Sequence, residues 1–370
     1  MKTRSLFILL IFLIAPSIIS AHAIEAKLFE GSRTYLIRDC QSASFPNLIF
    51  SESSIFPNEG SLHRPEDGKA LADGRIIVSD EEFGLRIIEK DGKSRPFGRF
   101  KQAGYTHNPP GAPAGPNGMF LESDGRHLLV ADVYKGKIYR IDTKTEETKM
   151  IYDHPFGINS LVRDGKGAIW FTQSARNAEE KGFQDLYGAI NQPVDSGAVF
   201  YLPGSGNDVK TPAVEAASNI YFANGIALDG LEKHLYVAET MMSRILRYEI
   251  DTSKGALTNR EIYQYVITPD NIDFDKDGNL WIASPISNRI FAIDKKCRSL
   301  HTVFTAPSES NARIQDEWIK RSHLGKPLLE LLSPDLWKPL PGGALTGMFW
   351  SRDYKTLYVT GLGNALLKYE

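Results

Sequence analysis

The chain has 370 residues, of which 42% are apolar and 24% are charged, and its formal net charge is −2. This composition excludes a disordered chain. The balanced charge, without a run of five like charges, argues strongly against a nucleic-acid partner. A chain of this length could form two average domains or one large all-β domain.

The N-terminus has the order of features found in a secretory signal peptide. Basic residues come first, an apolar run follows over residues 6–14, and Ala21-His22-Ala23 supplies the small residues of a cleavage site. The apolar run is too short to span a membrane. We therefore expect a signal peptide over residues 1–23, cleavage after Ala23, and a secreted or periplasmic mature protein without a membrane span.

The chain contains two cysteines, Cys40 and Cys297, and both belong to the mature sequence. An oxidising compartment allows them to form a disulfide. In the chain-entropy model, a bridge that closes so long a loop stabilises the fold by ~5 kcal/mol. Two separate buried thiols are the alternative.

Six segments of the sequence repeat one pattern of short apolar strands separated by turns. The second strand of each copy starts near Arg75, His127, Ala168, His234, Asn279 and Thr356. An Asp-Gly dipeptide precedes this strand in five of the six copies, and such dipeptides tolerate the positive φ of tight hairpin turns. Short antiparallel strands that recur every ~40–75 residues are typical of propeller blades. The pattern predicts an all-β fold, a single six-bladed β-propeller over residues 24–370.

Two polar insertions interrupt the repeats. Residues 176–195 lie between two strands of the third copy, and residues 307–341 separate the fifth copy from the sixth. The second insertion has helical character over residues 314–332, and we expect a short helix pair across one mouth of the propeller. Because the chain ends within the sixth copy, residues 24–60 are expected to supply its outer strand, with residues 27–37 as the candidate.

One polar residue stands ten or eleven positions before the second strand of every copy. These residues are Glu66, Asn117, Asn159, Asn224, Asp270 and Thr346. In a propeller, the residues that begin the innermost strands converge on one mouth of the central tunnel. Their carboxylate and amide oxygens suit Ca²⁺, whereas Zn²⁺ prefers nitrogen and sulfur. Turn geometry alone can explain a single Asn or Asp, but the in-phase recurrence favours a site for one divalent cation.

The segments 158–174, 223–251 and 269–285, which contain three of these residues, resemble the regucalcin/gluconolactonase (SMP-30/gluconolactonase) family. They are also similar to its relatives, the paraoxonases and the strictosidine-synthase-like proteins. The resemblance implies a six-bladed propeller with a divalent cation, usually Ca²⁺, in the tunnel, and hydrolysis of lactones or other esters. It implies metal ligands at Glu66, Asn159, Asn224 and Asp270. Substrate contacts are expected at Asn117, Asn224 and Thr346, although the position of Asn117 contacts the metal in other relatives.

The sequence also departs from the patterns of this family. Asn117 stands where paraoxonases have a histidine, and Gly115-Pro116 precede it where regucalcin has an arginine near this position. Ser160 follows Asn159 where a paraoxonase aspartate helps to hold a second calcium. These departures argue against a histidine-dyad mechanism, gluconolactone itself as the substrate, and a second metal.

The sequence therefore predicts a calcium-dependent hydrolase of small lactones or related esters, gluconolactonase-like or arylesterase-like. The cation would polarise the carbonyl group, and Asp270 would act as general base or as nucleophile. Three alternatives stay open: a strictosidine-synthase-like propeller that does not hydrolyse esters, a binding propeller whose cation is structural, and an NHL-type scaffold without a metal. The oligomeric state does not follow from the sequence.

Overall fold

The computed structural model describes residues 40–57, 61–204, 212–251, 253–306, 308–341 and 343–370. The chain divides into two compact units, Met1–Ser42 and Ala43–Glu370. The expected signal peptide, its cleavage site and the candidate strand at residues 27–37 all lie outside the described residues.

The second unit is a six-bladed β-propeller, as the sequence predicts. Two short strands come first in the chain, β1 (Leu48–Ile49) and β2 (Ile55–Phe56). Blade one contains β3 (Gly68–Ala70), β4 (Ile76–Asp80), β5 (Gly84–Ile88) and β6 (Ser94–Phe97). Blade two contains β7 (Pro116–Leu121), β8 (His127–Asp132), β9 (Lys137–Asp142) and β10 (Thr148–Asp153). Blade three contains β11 (Leu161–Arg163), β12 (Ile169–Gln173), β13 (Gly197–Leu202) and β14 (Val214–Ile220).

The other three blades repeat this antiparallel order. Blade four contains β15 (Ala223–Leu228), β16 (His234–Glu239), β17 (Arg244–Asp251) and β18 (Ala256–Tyr265). Blade five contains β19 (Ile272–Phe274), β20 (Leu280–Ser284), β21 (Arg289–Ile293) and β22 (Leu300–Thr305). Blade six contains β23 (Leu345–Trp350), β24 (Leu357–Gly361) and β25 (Leu366–Tyr369).

Helices occupy both insertions between the strands. They are α1 (Gly182–Asn191), α2 (Glu309–His323) and α3 (Pro334–Trp337). Single 3₁₀ turns lie at Glu52–Ser54, Glu179–Lys181, Thr240–Met242 and Leu329–Leu331. Within the described residues, no helix combines the length and the apolar character that crossing a membrane requires.

Apolar side chains of neighbouring blades pack into shared clusters, because a single blade cannot bury both of its faces. Ile77 of blade one packs with Leu128 and Val130 of blade two, and all three are fully buried. Phe349 of blade six packs in the same way with Val78 of blade one. This last contact closes the ring of blades.

The N-terminal segment adds outer strands to two blades. Strand β2 pairs antiparallel with β25, with Ile55 opposite Leu367, and is the fourth strand of blade six. Strand β1 pairs in parallel with β22 and is a fifth strand on blade five, which the sequence pattern did not indicate. The strand observed on blade six thus lies at residues 55–56, near the end of the segment expected to supply it. Both Cys40 and Cys297 are disulfide-bonded.

The Asp-Gly dipeptides take two different positions in the hairpin turns. Gly74, Gly125 and Gly278 have positive φ angles of 87°, 65° and 83°, as expected from the sequence. In blades three and four the dipeptide begins the turn instead, and the left-handed conformation falls on Gly167 (φ 91°) and Glu232 (φ 53°). Gly165 and Gly230 therefore do not adopt a positive φ, because the dipeptide is shifted relative to the turn.

The two helical insertions form one layer over the mouth at which the innermost strands begin. Trp318 of α2 and Leu336 of α3 are buried against Ile286, which follows the end of β20. The side-chain oxygen of Asn191, at the end of α1, accepts hydrogen bonds from the backbone N–H groups of residues 328 and 329, both at 3.0 Å. Of the expected helix pair, α2 is present but begins earlier than predicted, whereas the second half of the range forms only the 3₁₀ turn Leu329–Leu331. Helix α3 lies just beyond the predicted range, and α1 was not predicted.

Replacing Trp318 by alanine should loosen this layer. The side chain is 4% exposed, and truncation of a buried aromatic residue leaves a cavity that lowers the free energy of unfolding by ~3 kcal/mol. The matched control is Ile319→Ala, because this neighbouring side chain is 37% exposed and should cost less than ~1 kcal/mol. Urea denaturation measures both values, and equal losses in the two variants would contradict this packing.

Candidate metal centre

The six polar residues that recur in the sequence lie together at the mouth of the tunnel beneath the helices. Asn117, Asn224 and Thr346 lie at the starts of β7, β15 and β23, while Glu66, Asn159 and Asp270 each lie two residues before one of the other innermost strands. Each is buried, with an exposed fraction between 2% for Glu66 and 9% for Asp270. The propeller therefore brings together every residue that the sequence assigned to the site.

Hydrogen bonds connect the amide side chains from blade to blade. The Asn117 Nδ2 atom donates to the backbone oxygen of Asn159 at 3.1 Å and to its Oδ1 atom at 3.3 Å. The Asn159 Nδ2 atom donates to the Ser174 hydroxyl at 3.0 Å. That hydroxyl in turn donates to the backbone oxygen of Ala223, next to Asn224, at 2.8 Å. Blades two, three and four are thus fixed in register around the site.

Blades five and six hold Glu66 in place. Asn271 Nδ2 donates to Glu66 Oε1 at 2.9 Å. The hydroxyls of Thr346 and Thr360 donate to the backbone oxygen of Glu66 at 3.1 and 2.7 Å. Thr346 therefore uses its proton to support Glu66 and offers only oxygen lone pairs to a substrate.

Glu66 and Asp270 form a buried pair of like charges. Burial raises the pKa of Glu66 well above its usual range, and the negative charge of Asp270 raises it further. Burial also raises the pKa of Asp270, to about 7, although the Asn224 amide and the Arg64 guanidinium oppose the change. Two carboxylates held in this way attract a proton or a cation.

Three oxygens at this site are buried without a hydrogen-bond partner. They are Glu66 Oε2, Asn224 Oδ1 and Asn271 Oδ1. Buried polar atoms normally have partners, so each orphan needs an explanation. These carboxylate and amide oxygens are potential metal ligands, and such ligands suit a hard divalent cation such as Ca²⁺. Glu66, Asn159, Asn224 and Asp270 therefore fit the group that the sequence predicts.

The side-chain oxygen of Asn117 already has a partner within the protein, Arg64, which the sequence pattern does not indicate. Arg64 donates to Asn117 Oδ1 at 2.7 Å and to the backbone oxygen of Pro116 at 2.9 Å. Its guanidinium carbon lies 5.6 Å from the centre of the Tyr134 ring. Only the fold brings Arg64 next to Asn117, since the two belong to different blades. No periodicity in the sequence signals this contact.

Glycines directly after three of the site residues let the innermost strands approach closely. A Cβ atom on Gly225 would lie 2.5 Å from the backbone oxygen of Asp270, and one on Gly118 would lie 2.6 Å from the Cα atom of Ser160. Neither glycine has a positive φ. Lack of space, rather than turn geometry, therefore requires glycine after Asn117 and Asn224.

The central tunnel continues below the site as a cavity of about 530 Å³ that all six blades line. Asp67, Ser160 and Asn271 line this cavity, and each directly follows an expected metal ligand. The carboxylate of Asp67 accepts hydrogen bonds from the backbone N–H of Met119 at 2.7 Å and from Lys69 Nζ at 3.4 Å. An ammonium group of the chain itself thus neutralises Asp67.

A second group of possible ligands lies on the hairpin of blade two, away from the tunnel mouth. Glu122, Asp124 and His127 come close enough together to hold an ion. However, Glu122 binds Arg140 and Arg163, both at 2.7 Å, and Asp124 binds His127 at 2.5 Å. Because these side chains already pair with one another or with arginines, the mouth of the tunnel is the stronger candidate.

A protein-family model described as "SMP-30/Gluconolactonase/LRE-like region" matches residues 152–314. The chain contains an SMP-30/gluconolactonase/LRE-like region. This region covers blades three to five and includes Asn159, Asn224 and Asp270, whereas Glu66 and Asn117 lie outside it. The resemblance that the sequence motifs indicate is confirmed.

Three curated proteins are similar to the chain. Adipocyte plasma membrane-associated protein of Gallus gallus is 27% identical over 226 residues, 58% of this chain and 50% of that protein. Protein STRICTOSIDINE SYNTHASE-LIKE 7 of Arabidopsis thaliana is 26% identical over 163 residues, 43% of this chain and 41% of that protein. A gluconolactonase of Zymomonas mobilis is 28% identical over 205 residues, 50% and 54% of the two chains. The chain spans about half the length of these relatives.

A solved structure is similar in fold. The gluconolactonase of Xanthomonas campestris superposes with a TM-score of 0.55 at 18% identity, and the match covers 89% of this chain and 95% of the other. At this identity the comparison supports the propeller fold alone.

In this propeller, adding a methyl group at residue 225 should separate Asn224 from Asp270. We expect Gly225→Ala to lower both the melting temperature and the affinity for Ca²⁺, because the added Cβ atom meets backbone atoms of blade five. Gly230→Ala is the control, since nothing lies within 4 Å of its added Cβ. Differential scanning calorimetry with and without Ca²⁺ tests this, and a Gly225→Ala variant that matches the control in both properties would disprove the close approach.

The pair Glu66–Asp270 should make the chelated protein less stable as the pH rises. The pKa of Asp270 rises from an ordinary value of 3.8 to about 7 on folding, so the folded state binds this proton more tightly than the unfolded chain does. Protonated Asp270 therefore contributes fully to the free energy of unfolding below pH ~4, and this contribution is lost as the pH rises to ~7. Its size is about 1.4 kcal/mol for each unit by which the pKa is raised.

Asp270→Asn removes this titrating group. Urea denaturation with chelator measures the free energy of unfolding of both proteins. Between pH 4 and pH 8 this free energy should fall by several kcal/mol more in wild type than in Asp270→Asn, on the scale of about 1.4 kcal/mol per pKa unit. A difference between the two proteins that stays constant over this range would show that Asp270 is not the buried acid described above.

Proposed function

We propose that this protein is a secreted or periplasmic, calcium-dependent hydrolase of lactones or related esters. The observation that carries the proposal is the buried pair Glu66 and Asp270 beside two amide oxygens without a partner. The family resemblance supports a lactonase-type function in general, and a gluconolactonase is among the relatives. Calcium dependence and the roles of individual residues go beyond that support.

Glu66, Asn159, Asn224 and Asp270 would hold the cation through side-chain oxygens. When bound, a divalent cation supplies Lewis-acid polarisation of a carbonyl oxygen and stabilises the developing oxyanion. The amide nitrogen of Asn117 donates to two oxygens of Asn159, and its side-chain oxygen accepts a hydrogen bond from Arg64. It therefore positions Asn159 rather than orienting a substrate carbonyl, whereas Asn224 keeps a free oxygen.

Asp270 would take the proton of the attacking water or attack the carbonyl carbon itself. Its carboxylate is held beside Asn224 in a site from which water is largely excluded, and its pKa of about 7 is closer to neutrality than that of an ordinary aspartate. Multiple-turnover hydrolysis in H₂¹⁸O tests direct attack, because water that opens an acyl intermediate at the Asp270 carbonyl leaves its oxygen in the protein. Direct attack leaves ¹⁸O in the protein after repeated turnover, whereas general base catalysis labels only the product.

Residence outside the cytoplasm rests on two features. The basic, apolar and small-residue order of the N-terminus predicts signal cleavage after Ala23. Both cysteines are disulfide-bonded, which agrees with an oxidising compartment. N-terminal sequencing of the exported protein tests the proposal, and retention of the segment before Ile24 would contradict it.

A second candidate is a strictosidine-synthase-like propeller without hydrolytic activity. The similarity to an Arabidopsis thaliana protein of that name favours it. The same cation would then hold the tunnel mouth together without activating an ester. A panel of lactones, aryl esters and organophosphates separates the candidates, since turnover of any of them supports the hydrolase.

The deciding experiment combines metal analysis of the purified protein with that panel, before and after chelation. We expect one Ca²⁺ per chain, hydrolysis that chelator abolishes and Ca²⁺ restores, and a stability gain of ~2.7 kcal/mol when free Ca²⁺ is 100 times its Kd. Absence of a Ca²⁺ effect on the melting temperature would refute the metal site.

Asp270→Asn tests the catalytic role. Removal of a general base typically lowers the rate 10²–10⁴-fold, and we expect kcat to fall by about this factor while Ca²⁺ stays bound. Asp273→Asn is the matched control, because it removes a carboxylate from the tunnel wall below the site and should leave kcat within a factor of about three. Full activity of Asp270→Asn would remove this residue from the mechanism.

A further inference from the structure

Arg64 is fixed next to the candidate metal centre by its backbone. Its N–H donates to the backbone oxygen of Gly363 at 3.0 Å, and its own oxygen accepts from the Ser79 hydroxyl at 3.2 Å and from the Glu66 N–H at 2.8 Å. The residue adopts a φ of 57°, a left-handed conformation that is rare for a long side chain and persists where the surrounding structure imposes it. Blades one and six thus hold Arg64 at the tunnel mouth.

The guanidinium group keeps unused donors. Of its five N–H groups, one binds Asn117 and one binds Pro116. Within the described ranges, no further acceptor is hydrogen-bonded to the others. The ring of Tyr134, itself 4% exposed, supports one side of the group. A planar, half-satisfied guanidinium on an aromatic ring is suited to bind a carboxylate or phosphate oxygen.

The charges at the site favour an anion once the cation is bound. Glu66 and Asp270 contribute two negative charges, and Arg64 contributes one positive charge. With a divalent cation bound and both carboxylates ionised, these three side chains and the cation together carry a net charge of +1. An uncharged ester would leave that charge uncompensated, whereas an ester or lactone with its own anionic group would neutralise it.

We propose that Arg64 is a specificity-determining residue that binds an anionic group of the substrate, so that the preferred substrates are carboxylate-bearing esters or lactones. The proposal rests on the proposed function and names the substrate class of the same site. Holding the Asn117 side chain does not require a positive charge, because a neutral donor could make the same hydrogen bond. Binding an anionic group of the substrate gives the charge of Arg64 a role.

The test compares two esters that differ by one charge: a monoaryl ester of glutaric acid and its methyl-capped, uncharged analogue. We expect wild type to prefer the charged ester by at least 10-fold in kcat/KM. In Arg64→Gln this preference should fall 10- to 100-fold, mainly through KM for the charged ester, and Arg64→Lys should restore part of it. Arg247→Gln is the control, because it removes one positive charge from a site in blade four that pairs with Glu261 and should leave the preference unchanged.

Calorimetric titration with monomethyl glutarate separates this inference from the hydrolase proposal. Saturable binding to the Ca²⁺-loaded protein that is lost in Arg64→Gln supports anion recognition, even if no ester is turned over. Equal metal content in wild type and Arg64→Gln shows that the centre itself is intact. If Arg64→Gln does not fold, the wild-type measurements still decide the question. A wild type that prefers the uncharged ester, or that does not bind the carboxylate, overturns the inference, as does an unchanged preference in Arg64→Gln.

Discussion

The structure depends on the burial of two carboxylates, Glu66 and Asp270, at the axis of the propeller. Each precedes an innermost strand by two residues, one in blade one and one in blade five, so closing the ring of blades forces them together. Burial raises the pKa of both groups, and proximity to Asp270 adds to the effect at Glu66. Such a pair is unfavourable on its own, and the surrounding residues act to hold it or to compensate its charge.

The neighbours of the pair divide these two tasks. Thr346, Thr360 and Asn271 hold Glu66 by hydrogen bonds to its backbone and side chain, while Gly225 lets blade four approach Asp270. Arg64 compensates one negative charge in part. A site built only for stability would have apolar residues here, since replacing buried charges by hydrophobic groups is often neutral or stabilising. Keeping two carboxylates at this position is consistent with a function that needs them.

The sequence predicts those parts of the fold and site that repeat along the chain. Glu66, Asn117, Asn159, Asn224, Asp270 and Thr346 recur in phase with the strands, and periodicity alone placed them at one mouth. Arg64 belongs to no repeat, and its contact with Asn117 depends on how two blades pack. Strand β1 is two residues long, and α1 lies in an insertion without a clear helical pattern, so neither leaves a periodic signal.

The two levels of the tunnel differ in the hydrogen bonds that their carboxylates receive. Both carboxylate oxygens of Asp67 accept hydrogen bonds, from the backbone of Gly68 and Met119 and from Lys69. At the mouth, Glu66 and Asn224 each keep a buried oxygen without a partner. The carboxylate of Asp67 in the cavity thus has partners for both oxygens, whereas Glu66 and Asn224 at the mouth each keep one oxygen that could bind a cation. The proposal of a single cation therefore rests on the mouth, since below it the Lys69 ammonium group pairs with Asp67 and Ser160 stands where a further carboxylate would be needed.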